Sequence, residues 1–201
     1  MTLSNRKILR TLLCLLAGTL YAVCLSACGA KEPLSENRDA EIESPVIAND
    51  LSNQKVTAIA EDTQGHIWIG TFRGLNKNNV HDYHQYFCTD DSLGLPDNQI
   101  THLLRDSKNR FWVGTVNGVC LYTDKDNFRI IPIEADNKNV RQILEDRNGR
   151  IFLNTGFQLY AYHPREEKIT CVLPEISPGN AFYAQCHIAP DNNLWVMTST
   201  G

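Results

Sequence analysis

Apolar and polar positions follow one pattern that returns about every 42 residues between residues 54 and 201. Each copy opens with a short alternation of apolar and polar residues, passes a turn rich in Asp, Gly and Asn, and enters a run of β-branched and aromatic residues. An aromatic anchor stands at the same place in every run, with spacings of 44, 40 and 43 residues. The four anchors are Trp68, Trp112, Phe152 and Trp195.

The turn in each copy predicts a tight hairpin. Its opening aspartate is expected to accept hydrogen bonds from backbone N–H groups two residues on, and a glycine three residues later supplies a positive φ. Asn109 replaces the glycine in the second copy, and Ala189 replaces the aspartate in the fourth, where residues 190–193 still provide turn chemistry. The predicted turn residues are Asp62, Asp106, Asp146, Gly65 and Gly149.

The run after the turn is apolar on both faces, which is typical of a strand covered on both sides. Two further short strands follow in each complete copy, so every repeat predicts four strands, as in a β-propeller blade. In such a stack the aromatic anchor would fill the wedge between neighbouring blades. Helical repeats are excluded because Gly, Asn and Asp interrupt the pattern every five to eight residues.

The predicted fold class is therefore all-β, with about three and a half blades of four antiparallel strands after an N-terminal signal or anchor helix. Because propellers close at four or more blades, we expect the chain to be the N-terminal fragment of a longer protein. The predicted blades lie near 54–91, 92–136, 137–178 and 179–201, the last of them truncated.

The N-terminus predicts export. Arg6, Lys7 and Arg10 precede an uncharged apolar stretch over residues 11–30. Residues 25–28 resemble a lipoprotein lipobox that would place a lipid on Cys28; an uncleaved membrane anchor and a plain cleaved signal are the alternatives. Each would place the rest of the chain on the periplasmic side of the membrane. Residues 1–28 are thus a signal or anchor, and residues 29–53 a polar tether.

The charge of the chain limits the kinds of partner that it can bind, and the spacing of its cysteines limits their chemical roles. Nineteen basic against 23 acidic side chains give a net charge of −4, without a run of five like charges, so the composition argues against nucleic acid. Beyond the signal, no CxxC pair occurs among Cys88, Cys120, Cys171 and Cys186. We interpret them as unpaired thiols, most of them buried, with one disulfide as the alternative in an oxidising compartment.

Motifs for catalysis are absent from the sequence. His81 and His84 form the only histidine cluster, without a nearby Cys or third His to complete a metal site. No nucleophile elbow, zinc-protease or phosphate-binding motif occurs. The sequence thus predicts no catalytic residue, no metal and no cofactor, and a structural role for the turn aspartates.

The strand ending in Asp, the D-x-x-G turn, the W-I/V-G-T strand and the T-x-x-G-L/V turn together resemble the two-component regulator propeller repeat. The lead-in at residues 92–98 resembles the GLP-x-N segment of the same repeat, and the resemblance covers residues 54–201. Every copy retains the threonine after the anchor, but Asn154 and Gln158 replace glycines in the third copy. This repeat is common in the sensor regions of hybrid histidine kinases of gut Bacteroidetes.

The resemblance implies a ligand-sensing propeller of a two-component sensor that responds to an oligosaccharide or a partner domain. Further blades, a β-sandwich, a transmembrane helix and a kinase would follow, and the full-length form would be a homodimer with histidine kinase activity. Two alternatives remain: an exported lipoprotein propeller that serves as a binding scaffold without a kinase, and a propeller polysaccharide lyase.

Overall fold

The computed structural model describes residues 45–89, 94–123, 125–174 and 182–199. Within these ranges every regular element is a β-strand, and no helix is long and apolar enough to span a membrane. The signal segment and Cys28 lie outside the described residues. The strands are β1 (Val46–Ala48), β2 (Val56–Glu61), β3 (Ile67–Thr71), β4 (Gly74–Asn79), β5 (Asp82–Tyr86), β6 (Ile100–Arg105), β7 (Phe111–Thr115), β8 (Gly118–Tyr122), β9 (Phe128–Ile131), β10 (Gln142–Glu145), β11 (Ile151–Asn154), β12 (Leu159–His163), β13 (Lys168–Leu173), β14 (Tyr183–Ile188) and β15 (Leu194–Thr198).

The strands form four antiparallel sheets, one for each copy of the repeat. The second and third sheets, β6 to β9 and β10 to β13, are four-stranded meanders in which chain neighbours pair. The fourth sheet contains β14 and β15. The prediction of four-stranded antiparallel blades is confirmed.

The first sheet has a fifth strand, in the order β1-β5-β4-β3-β2. Val46 lies opposite Gln85 and Ala48 opposite Tyr83, so β1 covers the outer edge of the blade. The sequence predicted a polar tether over residues 29–53, and the structure differs at Val46–Ala48. A three-residue edge strand is too short to carry a recognisable alternation, because it is held by backbone hydrogen bonds and not by a buried face.

The sheets stack face to face. The first strands of successive sheets are neighbours: β2 lies beside β6, β6 beside β10, and β10 beside β14. Three apolar clusters fill the spaces between successive sheets. Each anchor points toward the sheet that follows it in the chain: Trp68 packs against the second sheet, Trp112 against the third and Phe152 against the fourth. The predicted wedge-filling role is confirmed for these three anchors.

Trp195 does not fill a wedge, contrary to the prediction. Its side chain is 66% exposed and shares its face of β15 with the exposed Met197. Leu194 and Val196 on the opposite face pack against the third sheet. Trp195 keeps the orientation of the other anchors, but the described residues contain no sheet on that side to cover it. The outer face of the first sheet is exposed in the same way at Ile59.

Glycine in the second strand lets the next blade approach. A Cβ at Gly70 would lie 2.5 Å from Ile100 Cγ2, and a Cβ at Gly114 would lie 3.2 Å from Val140 Cγ1. In the third sheet Asn154 occupies this place, because its side chain donates to the Tyr183 carbonyl at 3.2 Å and accepts from the Gly156 amide at 2.7 Å. The departure from glycine in the third copy therefore replaces a close contact by a hydrogen bond.

We expect Gly70→Ala to lower the free energy of unfolding by about 1–3 kcal/mol, because Ile100 must move to make room for the methyl group. Urea titration would measure the change. Lys108→Ala, at an exposed residue of the second turn, is the control and should alter stability by less than about 0.5 kcal/mol. Equal stabilities of Gly70→Ala and the wild type would contradict the packing described for this glycine.

Candidate functional site

Each of the first two turns holds its tryptophan through the turn aspartate. Asp62 Oδ1 accepts from the backbone N–H of Gln64 at 2.8 Å, and its Oδ2 accepts from Trp68 Nε1 at 2.9 Å. Asp106 repeats both contacts, with Trp112 Nε1 at 2.8 Å. The predicted bond to the N–H two residues on is present. The indole bond was not predicted, although the fixed six-residue separation of Asp and Trp in both copies was a usable signal.

The third and fourth turns are stabilised by contacts of other residues. The Phe152 side chain has no N–H group, and Asp146 Oδ2 accepts from Arg150 Nε, a bond that Arg110 also makes to Asp106 in the second turn. The Arg150 guanidinium lies 5.6 Å from the Phe152 ring centroid. In the fourth turn Asn192 takes the positive φ of 68°, and its side chain accepts from the Arg147 amide at 2.7 Å. The predicted left-handed turn residues Gly65, Asn109 and Gly149 have φ values of 84°, 62° and 73°.

In the first three copies, the threonine at the end of the strand that carries the anchor, or directly after it, closes the next turn. Thr71 Oγ1 donates to the Gly74 carbonyl at 2.8 Å, Thr115 Oγ1 to the Gly118 carbonyl at 2.9 Å, and Thr155 Oγ1 to the Gln158 carbonyl at 3.1 Å. All three side chains are buried. The recurrence of threonine is therefore explained by a structural hydrogen bond.

Leu95 and Asn98, in the segment before the second blade, connect that blade to the first. Asn98 Oδ1 accepts from the Cys88 amide at 2.7 Å, and the Gly74 amide donates to the Asn98 carbonyl, also at 2.7 Å. Leu95 is buried in the apolar cluster that contains Trp68. The leucine and asparagine of this segment thus position the second blade against the first.

Ionised turn aspartates make the fold sensitive to acid. Burial opposes ionisation of Asp62, but hydrogen bonds from the Trp68 indole and from the backbone N–H groups of His66 and Gln64 outweigh it, so the pKa of Asp62 lies below its usual value. Burial likewise opposes ionisation of Asp146, and hydrogen bonds from the Arg150 backbone and side chain outweigh it and lower its pKa. Both carboxylates are therefore more acidic in the folded chain than an unfolded aspartate.

We expect the free energy of unfolding to be independent of these groups above about pH 4, the range of an unfolded aspartate, and to fall as the pH drops through their lowered pKa values. Urea titrations between pH 7 and pH 3 would measure this loss. Asp62→Asn should be less stable at pH 7 and should show a shallower decline in acid. A decline as steep as that of the wild type would exclude Asp62 as one of its sources.

The structure shows the surroundings of His84, which was considered as a metal ligand, and of the four cysteines after the signal segment. Residues 45–89, 94–123, 125–174 and 182–199 contain no group of three metal-ligating side chains. His84 Nε2 lies 4.0 Å from Asp82 Oδ1, beside β1. Cys120 and Cys186 are buried and burial raises the pKa of both thiols, whereas Cys88 and Cys171 are exposed. The interpretation of the cysteines as mostly buried holds for only two of the four.

Besides a recess of about 450 Å³ on the fourth sheet at Trp195 and Met197, two recesses among the described residues are large enough to accept a small ligand. The first, about 520 Å³, lies beside Phe157 and Gln158 and is bordered by Glu134, Asp136 and Asn137 in the connection to the third blade. The second, about 230 Å³, lies between the first two sheets. We call it the Lys77 cleft; its lining includes Asp62, Gln64, Lys77, Arg105, Tyr122 and Asp126.

Tyr122 and Asp126 line the Lys77 cleft, and both contact aromatic side chains packed behind it. Trp68 stacks on Tyr86 with a centroid distance of 5.4 Å and meets Tyr122 edge-on at 4.6 Å. The hydroxyls of Tyr86 and Tyr122 both donate to Asp126 Oδ1, at 2.8 and 2.6 Å. Burial opposes ionisation of Asp126, but these two phenols and the nearby Lys77 charge outweigh it and lower its pKa. Asp126 is thus a carboxylate held in place by both blades.

Stacked, antiparallel four-stranded meanders with an aromatic residue in each wedge define a β-propeller repeat array. Residues 50–73 and 94–117 match the family described as two component regulator propeller. Two copies of the repeat in this chain therefore match the repeat model of that family.

Solved structures share the fold. The extracellular domain assigned to a hybrid two-component system of B. thetaiotaomicron superposes with a TM-score of 0.62 at 24% identity, over 72% of this chain and 20% of that one. A second such domain from the same organism gives 0.60 at 21% identity, over 74% and 21%. Virginiamycin B lyase from Staphylococcus aureus gives 0.56 at 19% identity, over 75% and 52%.

The chain thus spans about a fifth of the length of the two B. thetaiotaomicron domains. No curated protein matches the chain.

Proposed function

We propose that this chain is part of the exported ligand-sensing region of a two-component sensor and that its ligand is an oligosaccharide. The observation that carries the proposal is the match of residues 50–73 and 94–117 to the two-component regulator propeller family. Similar folds in extracellular domains assigned to hybrid two-component systems support a location outside the cytoplasm. The basic residues and apolar stretch of residues 6–30 support the same location.

We further propose that the chain senses without catalysing a reaction. The turn carboxylates Asp62 and Asp106 already accept from backbone N–H groups and an indole. Such groups stabilise the blade and lack the exposure that proton transfer to a substrate requires. Kinase activity, membrane attachment through Cys28 or an anchor, and homodimer formation belong to the full-length form of this proposal. Nucleic acid has no role in it, in keeping with the net charge of −4.

A glycan screen tests the proposal. The full chain would be heated with neutral trisaccharides built from glucose, mannose, xylose or galactose, and with a DNA oligonucleotide as a control. Binding to the folded state raises Tm, and a ligand at 100 times its Kd adds about 2.7 kcal/mol of stability. We expect at least one trisaccharide to raise Tm and the oligonucleotide to have no effect. If no glycan raises Tm, the proposal that the chain senses an oligosaccharide is wrong.

A further inference from the structure

Lys77 occupies a position between two sheets that is apolar in the next two blades. It pairs with Trp68 across β3 and β4, and the residues that pair with the anchors of the next two blades are Leu121 and Ala161. Leu121 is buried in the apolar cluster around Trp112. The Lys77 side chain is only 14% exposed, so an ammonium group replaces an apolar side chain between two sheets. Burying a charge is costly unless it is closely paired, and such departures from a local rule are expected at functional sites.

The ammonium of Lys77 forms a long ion pair with Asp126. Nζ donates to Tyr122 Oη at 3.3 Å and lies 4.0 Å from Asp126 Oδ1. The rings of Trp68 and Tyr122 lie 5.3 and 5.4 Å from it, which gives weak cation–π stabilisation. A lysine has three donors, so Nζ can still donate to a ligand in the cleft.

Asp126 likewise has a carboxylate oxygen that can accept a further hydrogen bond. Its Oδ1 takes both phenol hydroxyls, and within the described residues no hydrogen bond reaches Oδ2. The backbone of Asp126 has a φ of 58°, which an aspartate tolerates, and its side chain contacts Tyr86 of the first sheet. The carboxylate therefore offers one oxygen to a ligand while the other is fixed.

The next interface shows what a purely structural pair looks like. There Arg129 pairs with Glu167 of the corresponding turn, and both side chains are largely exposed, at 42% and 59%. No aromatic hydroxyl contacts Glu167 among the described residues. The two interfaces thus share an acid in the turn and a base on the preceding sheet. They differ in the base, because Lys77 is only 14% exposed, while Asp126 is 40% exposed.

The side chains that line the Lys77 cleft can donate hydrogen bonds to, and accept them from, neighbouring hydroxyl groups of a sugar. Lys77 and Arg105 are donors, Asp126 is an acceptor, and the amide of Gln64 can act as both. Tyr122 and Phe111 add ring surface. The volume of about 230 Å³ is below the roughly 300 Å³ at which pockets for drug-sized ligands begin, so the cleft suits a single sugar ring.

We propose that the Lys77 cleft binds the terminal sugar ring of a neutral oligosaccharide, with Lys77 and Asp126 hydrogen-bonded to adjacent hydroxyls. This inference rests on the proposed function and assigns it a site. The larger recesses beside Phe157 and beside Trp195 are the competing locations. The first has its acidic side chains, Glu134 and Asp136, exposed to solvent, and the lining of the second contains no acidic side chain.

Calorimetric titration of the full chain with the four neutral trisaccharides tests the assignment. Lys77→Met and Asp126→Asn should each raise Kd at least tenfold for the trisaccharide that binds the wild type. Lys77→Met should keep or raise Tm, because an apolar residue at this place is what the next blade has in Leu121. Loss of binding with an unchanged Tm separates a ligand contact from a folding defect.

Matched variants control for charge and for the other recess. Glu167→Gln removes an acid from the corresponding turn of the next interface, and Asp136→Asn alters the recess beside Phe157. Both should leave Kd within twofold of the wild type. If the wild type binds a trisaccharide and Lys77→Met and Asp126→Asn bind it equally well, the cleft assignment is overturned and the sensing proposal stands. If the wild type binds none, both are overturned.

Discussion

Trp112→Ala is expected to lower the free energy of unfolding by about 3–5 kcal/mol, the range for deleting a large aromatic side chain from a core. Trp112 is fully buried between the second and third sheets, and its ring meets Tyr162 edge-on at 4.9 Å. Its indole N–H also donates to Asp106. The substitution removes both contacts and leaves a cavity that two packed sheets cannot collapse to fill. Urea titration at pH 7 would measure the loss.

Trp195→Ala is the matched control, because it is the same substitution at the equivalent position of the fourth copy. Trp195 is 66% exposed, so we expect a change within about 0.5 kcal/mol. Equal losses for Trp112→Ala and Trp195→Ala would contradict the different environments described for these two side chains.

Asp106→Ala is expected to cost about 2–4 kcal/mol, since a buried donor that loses its acceptor pays about 1–3 kcal/mol and several donors are affected here. The carboxylate accepts from the indole of Trp112 at 2.8 Å, from the backbone N–H groups of Lys108 and Arg110, and from Arg110 Nε at 2.6 Å. Thermal or urea unfolding would detect the loss.

Asp191→Ala provides the comparison in the fourth turn. Asp191 is exposed and, among the described residues, accepts from Asn193 at its backbone N–H and its side-chain amide. We expect a cost of about 1 kcal/mol or less, because both bonds are exposed to solvent. If Asp106→Ala were no more destabilising than Asp191→Ala, the indole bond would not stabilise the blade.

Most of the fold could be predicted because the repeat shows each feature several times. The D-x-x-G segments predicted hairpins with a left-handed residue, and Gly65, Asn109 and Gly149 have that conformation. The doubly apolar runs predicted strands covered on both faces, and every residue of β7 and β11 is buried. Local turn chemistry and apolar periodicity are encoded in neighbouring residues, so the sequence alone is sufficient for them.

Features that depend on a neighbouring sheet were harder to predict. The exposure of Trp195 follows from what lies beside β15, which the residues of the fourth copy do not encode. Strand β1 is short and pairs only at an edge, so it leaves no pattern in the sequence. The Lys77 cleft brings together side chains from two blades, and a lysine in β4 reads as a solvent-facing residue until the next sheet is placed over it.

Amide hydrogen exchange of the full chain, followed by mass spectrometry, tests most directly whether the blades are stacked sheets with hidden faces. The account predicts that amides of Phe111–Thr115 and Ile151–Asn154, between two covering sheets, exchange only on global unfolding. Amides of Leu194–Thr198, with Trp195 and Met197 exposed on one face, should exchange much faster. Equally fast exchange in all three strands would contradict the stacked arrangement.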